Sequence, residues 1–478
     1  MAADRGEAAA LTVRGRLLKE GGRAAAEPAE RRRLYGEAAE VYARAAAAPG
    51  GGTYQLINAA TLSLLAGRRD LAQERAQRVL ARGDADAETS YWSAATRAEA
   101  LLLIGDIAAA KATLAQAVEC APHAFEDHAP TLRQFRAILD VLGEDTSWLD
   151  AWHPPRTLHF AGHLGLSPDG GGLADEIRGV LEAERIGFGY GALAAGSDIV
   201  IAEALLARGA ELTVVLPVPV APFREHSVAC FGADWGARFD AILEREPRVH
   251  VVCGGANTLS PAAIRLAAEV AMGSAVMQAQ ALDSDAVQLL VTDGVVPDAG
   301  AAIWAQTGRR QRRLAASRTQ TAGTALGVDG ELAAMLWLSP ASLDALDGLA
   351  KALAGGPMPQ TAPRWTGEVV HVSYDTPAKA VAAVRAASAM VAAGGRVAAH
   401  YGIVRIAADP FGGPAFPAGP AAAILPDIAF GMPPGAVYVS EDFAAALAAA
   451  SPEVFLTELV GELAGEVENP TRLFALLR

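Results

Sequence analysis

The chain has 478 residues, too many for one ordinary domain, and this length favours three domains that each bury a core of their own. The formal net charge of −14 and the isoelectric point near 5.2 argue against a nucleic-acid partner or an anionic membrane surface, because both need a basic patch. The cysteines, Cys120, Cys230 and Cys253, are too few and too widely spaced for a disulfide framework or a CxxC-type zinc site.

The first ten residues, MAADRGEAAA, carry charges where a signal peptide needs an apolar stretch. No apolar run in the sequence approaches the roughly 20 residues of a membrane span. We therefore expect a cytoplasmic protein without a membrane partner.

Two segments in the first third of the chain repeat one pattern. Residues 64–80 and 102–118 each contain the end of an apolar helix, a glycine and a second helix, and Gly105 follows Gly67 by 38 positions (105 − 67). The alanines at close-packing positions are Ala72 and Ala76 in one copy, Ala110 and Ala115 in the other. This helix–turn–helix pattern resembles the tetratricopeptide family, with loops longer than its roughly 34-residue repeat allows. A helical array over residues 1–152 either offers a concave surface to a protein partner or packs against the rest of the chain.

The residue pattern of the sequence changes after residues 153–155, HPP, where two prolines prevent a helix from continuing. The apolar runs LHFAG, LTVVLP, VHVVCGG and VQLLVTDG then alternate with helical stretches. This alternation predicts a doubly wound, Rossmann-like parallel α/β domain over residues 155–300, with strands buried on both faces. Residues 301–330 are polar and basic with little periodicity, which predicts a linker.

The predicted α/β domain brings several residues to the carboxyl ends of its strands, where ligands bind in open parallel sheets. The candidate ligand-binding residues are Gly162, His163, Gly189, Gly191, Gly196, Ser197, Asp198, Glu203, Pro217, Gly254, Gly255 and Asp293. The glycines from 189 to 196 predict a loop whose backbone N–H groups approach a phosphate at a helix start. The alternative for Ser197 or Asp198 is a simple helix cap. Neither GxGxxG in the required register nor GxxxxGK[ST] occurs, which disfavours a dehydrogenase or a P-loop ATPase.

The stretch GYGALAAGSDIVIAEALLARGAELTVVLP, residues 189–217, resembles the nucleotide-ligand fold of the DNA-processing protein A and Lonely Guy families. The matching features are Gly191, the segment 196–198 and Gly209. The PGGxGTxxE motif of the Lonely Guy enzymes is not found. The resemblance therefore implies binding of a nucleotide or nucleotide derivative more than phosphoribohydrolase activity, and no cofactor is assigned beyond such a ligand.

Residues 331–478 predict an α+β domain, with strands in ELAAMLWLS, GEVVHVSYD, GRVAAHYGIVRIA and GAVYVSEDF. The segments HYGIVRIAADPFGG and PPGAVYVSEDFAAAL resemble class III adenylate and guanylate cyclases. In that family two carboxylates hold two metal ions, and an amide and a cation act on the transition state. The matching positions carry Ser339, Glu368, Ala423 and Asp427 here, so the resemblance implies a degenerate cyclase domain that forms a homodimer.

These observations together predict a signalling or regulatory protein made of a helical-repeat array, a nucleotide-sensing α/β domain and an inactive cyclase-like α+β domain. The changed metal and transition-state positions disfavour an enzyme, and no catalytic residue and no metal ligand is assigned. Three alternatives stay open: a middle domain that hydrolyses a nucleotide with the help of Glu203, a cyclase with residual or complementing activity, and a scaffold that only binds proteins.

Overall fold

A computed structural model describes most of the chain. The described residues are 2–82, 91–166, 172–294, 299–319, 327, 330–410, 412–451, 457–463 and 471–476. The chain divides into two compact units. The first comprises Met1–Pro154 and Ala281–Asp283, and the second comprises Pro155–Gln280 and Ser284–Arg478.

The described part of the first unit is helical. Its helices are α1 (Ala2–Ala24), α2 (Pro28–Ala47), α3 (Thr53–Leu65), α4 (Arg69–Arg82), α5 (Tyr91–Ile104), α6 (Ile107–Cys120) and α7 (Phe125–Leu142), followed by a 3-10 helix (Ser147–Trp152). Gly67 and Gly105 have φ values of +82° and +92°, the left-handed conformation that ends a helix. The backbone N–H of Arg68 donates to Ser63 at 2.8 Å, and that of Asp106 donates to Leu101 at 3.0 Å, so the α3–α4 and α5–α6 turns have the same geometry.

The second helices of the two helical pairs bury equivalent positions. Ala72 and Ala76 of α4 and Ala110 of α6 are fully buried, but the position equivalent to Ala76 is Leu114. The expectation that Ala115 packs there is wrong, because Ala115 is only partly buried. Helix α7 contacts both α3 and α5. The chain itself therefore covers part of the face that these two helices would offer to a partner.

The second unit contains a six-stranded sheet. Its elements are β1 (Arg156–Gly162), α8 (Leu173–Ala183), β2 (Ile186–Gly191), α9 (Ser197–Ala207), β3 (Glu211–Leu216), α10 (Val220–Ser227), a 3-10 helix (Ala229–Phe231), α11 (Ala233–Leu243), β4 (Arg248–Val251), α12 (Pro261–Ala281), β5 (Ala286–Thr292), α13 (Ala299–Gln306) and β6 (Arg310–Ala315). The strand order is β4-β3-β2-β1-β5-β6, and every pairing is parallel. The predicted parallel α/β sheet is thus confirmed.

Two strands of this sheet lie where the sequence predicted a loop and a linker. Gly189 and Gly191 belong to β2, and the expectation of a glycine loop that starts at residue 189 is wrong. A Cβ at Gly189 would lie 2.3 Å from a methyl carbon of Leu205, and one at Gly191 would lie 2.5 Å from the Phe160 ring. These glycines therefore leave room for the side chains of Leu205 and Phe160. The linker expectation for residues 301–330 is wrong for β6, an exposed edge strand, while residues 320–326 and 328–329 lie outside the described residues.

The same unit contains an eight-stranded sheet, described through β7 (Glu331–Ser339), α14 (Asp344–Ala354), β8 (Thr361–Thr366), β9 (Val369–Tyr374), α15 (Pro377–Ala386), α16 (Ser388–Ala392), β10 (Arg396–Ala407), β11 (Phe416–Ala418), α17 (Pro420–Ala423), α18 (Leu425–Ala429), β12 (Val437–Ser440), α19 (Glu441–Ala450), β13 (Thr457–Glu462) and β14 (Arg472–Leu476). The order is β13-β14-β12-β10-β7-β9-β8, with β11 on β10. Pro420 and Pro426 stand in the first turns of α17 and α18, which are only four and five residues long.

Helix α12 packs against both the parallel sheet and the helices of the second sheet. Val215 of β3 and Leu266 of α12 share a buried core with Val372 of β9 and Phe443 of α19. A Cβ on Gly273 would lie 1.6 Å from the carbonyl oxygen of Ala445, so α12 and α19 meet backbone to backbone. The two sheets therefore form a common core within this unit.

Candidate functional site

The centre of the parallel sheet has the geometry of a ligand crevice. Strands β1 and β5 are neighbours, with Gly162 beside Val291, yet the chain leaves β1 toward β2 and reaches β5 only after β4. The connections after β1 and β5 therefore diverge, the arrangement that in open parallel sheets forms a ligand crevice beyond the carboxyl ends of such strands. Of the predicted ligand-binding residues, Gly162, His163 and Asp293 lie at these two strand ends.

The start of α9 is attached directly to the end of β1. The hydroxyl of Ser197 donates to the carbonyl oxygen of His163 at 3.0 Å. A Cβ at Gly162 would lie 2.4 Å from the Ser197 side chain. Gly196 has a φ of +123°, and a Cβ there would lie 2.8 Å from the His163 carbonyl oxygen, so this position requires glycine on both counts. The positive end of the α9 dipole is thus held beside the strand end.

Asp198 and Glu203, the predicted acidic residues of α9, have different surroundings. Asp198 is 6% exposed, and its Oδ2 accepts the backbone N–H of Ala194 at 3.3 Å, which ties the preceding loop to the helix. Glu203 lies six residues after the helix start, about 9 Å along its axis. Its carboxylate accepts a hydrogen bond from Nε of Arg238 at 2.7 Å, on the side of α9 that faces α11. The expectation that Glu203 belongs to the crevice is therefore wrong.

The chain after β6 supplies residues that the sequence assigned to a linker. Nε2 of His163 lies 2.7 Å from the carbonyl oxygen of Ala316, and His163 is only 8% exposed. The backbone N–H of Thr319 donates to the carbonyl oxygen of Gly165 at 2.8 Å. Nε of Arg318 lies 2.8 Å from Oδ2 of Asp293. A guanidinium and a carboxylate therefore meet beside the end of β5, next to the helix start that favours an anion.

The remaining predicted residues lie at the ends of other strands. Pro217 is buried directly after β3, while Gly254 and Gly255 are exposed after β4. Strand β4 is the third neighbour of β1, about 14 Å away at the usual strand spacing. Gly189 and Gly191 lie inside β2 and offer no loop N–H groups. The crevice thus gathers Gly162, His163, Gly196, Ser197 and Asp293, with Asp198 behind them.

The four cyclase-matched positions of the second sheet carry a poor set of metal donors. Ser339 ends β7 opposite Arg396 of β10, and Leu338 before it pairs with Val370 of β9. This register places Ser339 near the β8–β9 turn that contains Glu368. Ala423 and Asp427 are exposed at the two short helices. A hydroxyl beside an arginine is a weak ligand for a hard divalent cation, and no group of three or more His, Cys, Asp or Glu among the described residues could hold a metal. These residues do not fit a two-metal centre.

A cavity of about 220 Å³ that the sequence did not reveal lies on the face of the second sheet, under β11 and the helices α17 and α18. Nη2 of Arg364 lies 3.2 Å from Oδ2 of Asp409, and its guanidinium stacks 5.0 Å from the Phe416 ring centre. Burial, together with the nearby Arg364 charge, lowers the pKa of His371. The cavity therefore combines an apolar floor with an imidazole whose surroundings favour the uncharged form and an arginine held by Asp409 and Phe416. Arg364 and Asp409 are 45 positions apart (409 − 364), so no local motif marks them.

Among the helices that the structure describes, none combines the length and the apolar character needed to cross a bilayer. No protein-family model matches the chain. No curated protein matches its sequence either.

Solved structures that resemble about a third of the chain are nucleotide cyclases. The adenylyl cyclase CyaB from P. aeruginosa is 13% identical over 32% of this chain and 97% of that chain, with a TM-score of 0.27. An adenylate/guanylate cyclase/hydrolase from Silicibacter pomeroyi is 16% identical over 32% of this chain and 99% of that one, with a TM-score of 0.26. The guanylate cyclase domain of RhGC from Catenaria anguillulae, in complex with GTP, is 10% identical over 32% of this chain and 98% of that one, with a TM-score of 0.25. Similarity at this level carries no inference about activity.

Proposed function

We propose that the protein is regulatory and binds a nucleotide-derived ligand in the crevice at the carboxyl ends of β1 and β5. The observation that carries the proposal is the start of α9, fixed to the end of β1 through Ser197 and Gly196. First-turn N–H groups of a helix attract phosphate. Arg318 brings a cation and Asp293 a carboxylate to the end of β5, and these are suitable partners for a phosphate and a ribose hydroxyl.

Sensing is favoured over hydrolysis of the ligand by the position of the acidic side chains. Glu203 is engaged by Arg238 away from the crevice, and the carboxylate of Asp198 accepts a backbone N–H of the adjoining loop. Asp293 is ion-paired with Arg318. A general base needs a carboxylate within hydrogen-bond reach of the attacking water. The arrangement therefore supports binding better than turnover.

Under the same proposal, the cyclase-like residues 331–478 respond to ligand binding and do not catalyse a reaction. Where the resembling family has two metal-binding aspartates, this chain has Ser339 and the one-carbon-longer Glu368, and Asp427 would place negative charge where the triphosphate develops more. Ligand binding would act on this part of the chain through residues 316–319, which bond to the β1 connection and lead on toward β7. The predicted domain boundaries, 1–152, 155–300 and 331–478, belong to this proposal.

Self-association of the protein through the second sheet is supported by an exposed apolar groove. The groove between α14 and β8 has a volume of about 580 Å³. Met358 at its edge is 86% exposed and Trp365 is 38% exposed. We expect a homodimer in sedimentation velocity, and Met358→Glu should shift it toward the monomer. Leu343→Glu is the matched control, because Leu343 is 74% exposed but does not line the groove. A wild-type monomer at all concentrations would contradict the dimer.

The experiment that tests ligand binding is thermal unfolding of the full chain against nucleotides, cyclic nucleotides and nicotinamide-derived compounds. A ligand that binds only the native state at a hundredfold excess over its Kd adds about 2.7 kcal/mol of stability. The variant Asp293→Asn should change the shift produced by the active compound. Asp240→Asn is its control, because Asp240 is also paired with an arginine, Arg224, at 2.6 Å, but lies on α11.

Each result of this experiment has a distinct meaning. A stabilising compound that is recovered unchanged supports a sensor. Release of a base or phosphate would instead favour the hydrolase. A cyclic product would overturn the proposal that residues 331–478 are catalytically inactive. A shift that Asp293→Asn leaves untouched would place the ligand elsewhere. A panel without any shift would favour the scaffold.

A further inference from the structure

The first unit contains a groove lined by basic residues. It has a volume of about 500 Å³ and lies between α1, α2 and the turn from α3 to α4. Its arginines are Arg14 of α1, Arg32, Arg33 and Arg44 of α2, and Arg68 after α3. Its floor includes the half-buried Leu18 and the buried Gly36 and Val41. A guanidinium-rich surface is unexpected in a chain with a net charge of −14.

The acidic residues of the groove neutralise only two of its five arginines. Glu37 is paired with Arg33, and Glu40 is paired with Arg68 at 3.0 Å and with Arg75 at 3.2 Å. Within the described residues, Arg14, Arg32 and Arg44 make no ion pair or side-chain hydrogen bond. Three exposed guanidiniums therefore share one groove without a counter-charge.

The charge of the surrounding sequence supports a local attraction for anions. Residues 1–50 contain nine Lys and Arg against seven Asp and Glu, so the net charge of this segment is positive. The whole chain contains 40 Lys and Arg against 54 Asp and Glu. An anionic partner that the rest of the protein repels would be directed to this segment.

The spacing of the arginines sets the size of the occupant. Arg32 and Arg44 are 12 residues apart on α2, about 18 Å along the helix axis. A single carboxylate or phosphate cannot bridge that distance. An extended polypeptide covers it with about five or six residues, at roughly 3.3 Å per residue. A short run of acidic side chains can thus reach Arg32 and Arg44 together, and Arg14 across the groove on α1.

The composition of the lining separates an acidic peptide from a nucleic acid. Proteins that bind single-stranded nucleic acid stack bases on aromatic side chains. Of the described residues that line the groove, none is aromatic. Arginine forms two parallel hydrogen bonds with a carboxylate, a geometry that suits Asp and Glu side chains. We propose that this groove binds an extended acidic segment, about six residues long, of a partner protein. The inference does not depend on a ligand in the β1–β5 crevice.

The test measures binding of a fluorescein-labelled hexaglutamate peptide to the full chain by anisotropy at low ionic strength. The variant carries Arg14→Gln, Arg32→Gln and Arg44→Gln together. Glutamine keeps the helix propensity of arginine, so folding should be unaffected, and circular dichroism checks this. The matched control carries Arg69→Gln, Arg78→Gln and Arg82→Gln, which remove the same charge from exposed positions of α4. A hexaglutamine peptide and a thymidine hexanucleotide are the comparison probes.

We expect the Arg14, Arg32 and Arg44 variant to bind hexaglutamate at least about tenfold more weakly, because each exposed charge pair adds up to about fivefold in affinity. The α4 control should change the affinity by less than about twofold, and hexaglutamine should not bind. An equal loss of affinity in both variants would mean that hexaglutamate responds only to the net charge of the protein. The proposed binding site would then be wrong. Tighter binding of the hexanucleotide would overturn the choice of a peptide, and absence of hexaglutamate binding would overturn the proposal altogether.

Discussion

The two sheets of the second unit differ in what stands at their strand ends. At the ends of β1 and β5, small residues and backbone contacts bring a helix start close to the sheet, as at Gly162 and Gly196. At the end of β7 and in the β8–β9 turn, the strand register is regular, and the two candidate metal positions carry the Ser339 hydroxyl and the Glu368 carboxylate. A ligand crevice built from backbone depends on packing, whereas a metal site depends on a few exposed side chains. A site of the second kind can be changed by single substitutions without a change in its sheet.

The largest effect is expected where the two sheets meet through buried charges. Nε2 of His250 on β4 lies 2.7 Å from Oδ1 of Asp442 on α19, whose side chain is 8% exposed. Nη2 of Arg248 pairs with the neighbouring Glu441 at 2.7 Å. Removing one member of a buried pair leaves a charge without its partner and costs about 3 kcal/mol. We expect Asp442→Asn to lower the free energy of unfolding by this amount, and hydrogen exchange to show lost protection in both sheets. Loss confined to α19 would mean that the sheets unfold separately.

The stability contributed by the His250–Asp442 pair should also depend on pH, which gives a second test of the pair. Burial favours the uncharged imidazole, but Asp442 and Glu441 outweigh it and raise the pKa of His250 above its usual 6.5. Arg248 opposes this rise, and Cys253, whose pKa burial raises to about 12, stays uncharged. A raised pKa in the folded state stabilises the protein below pH 6.5, and this contribution is lost as the pH rises through the folded value. The stability gap between wild type and Asp442→Asn should therefore narrow from pH 6 to pH 9. A constant gap would mean that His250 does not titrate in this range.

The next effect concerns the backbone contact between α12 and α19. A methyl group at Gly273 would lie 1.6 Å from the Ala445 carbonyl oxygen, so the two helices must separate. We expect Gly273→Ala to destabilise the protein by about 2 kcal/mol despite the better helix propensity of alanine. Gly179→Ala in α8, where nothing lies within 4 Å of the new methyl group, should be neutral or stabilising. Chemical denaturation of both variants measures the difference, and equal stabilities would show that the helices separate at no cost.

The sequence was informative wherever packing left a regular pattern. The runs LHFAG, LTVVLP and VQLLVTDG correspond to β1, β3 and β5, because strands buried on both faces are continuously apolar. Strand β2 was mistaken for a loop, since its glycines make room for Leu205 and Phe160, which lie elsewhere in the chain. Strand β6 carries exposed arginines because only one of its edges is paired.

The candidate site was less predictable than the fold for the same physical reason. The sequence points to Gly162, His163 and Asp293 because they end or directly follow apolar strands. Arg318 was missed, since its place beside Asp293 depends on the pairing of β6 with β5. Glu203 was assigned to the wrong place because the sequence does not reveal its ion pair with Arg238, 35 residues later (238 − 203). Contacts between distant segments leave no local signal.

The smallest expected effect comes from placing aspartates at both candidate metal positions of the second sheet. Ser339→Asp and Glu368→Asp together place two aspartates near one another at the end of β7 and in the β8–β9 turn. Arg396 lies opposite residue 339 and weakens cation binding, so we expect an affinity for Mg²⁺ only in the millimolar range. A cation at a concentration equal to its Kd adds about 0.4 kcal/mol, which raises the unfolding midpoint by about 1 °C.

The matched control for this variant is Ser342→Asp, which adds the same net charge at an exposed position beyond β7. Mg²⁺ should leave the unfolding midpoints of the wild type and of Ser342→Asp unchanged, because neither has two carboxylates at the sheet end. A shift in the wild type would mean that Glu368 already takes part in a cation site. The proposal that the second sheet is catalytically inactive would then be wrong. No shift in the double variant would mean that the matched positions do not lie close enough to share a cation. Even with a shift, we expect no cyclic nucleotide to form, because under the proposed function Asp427 would place negative charge beside the triphosphate.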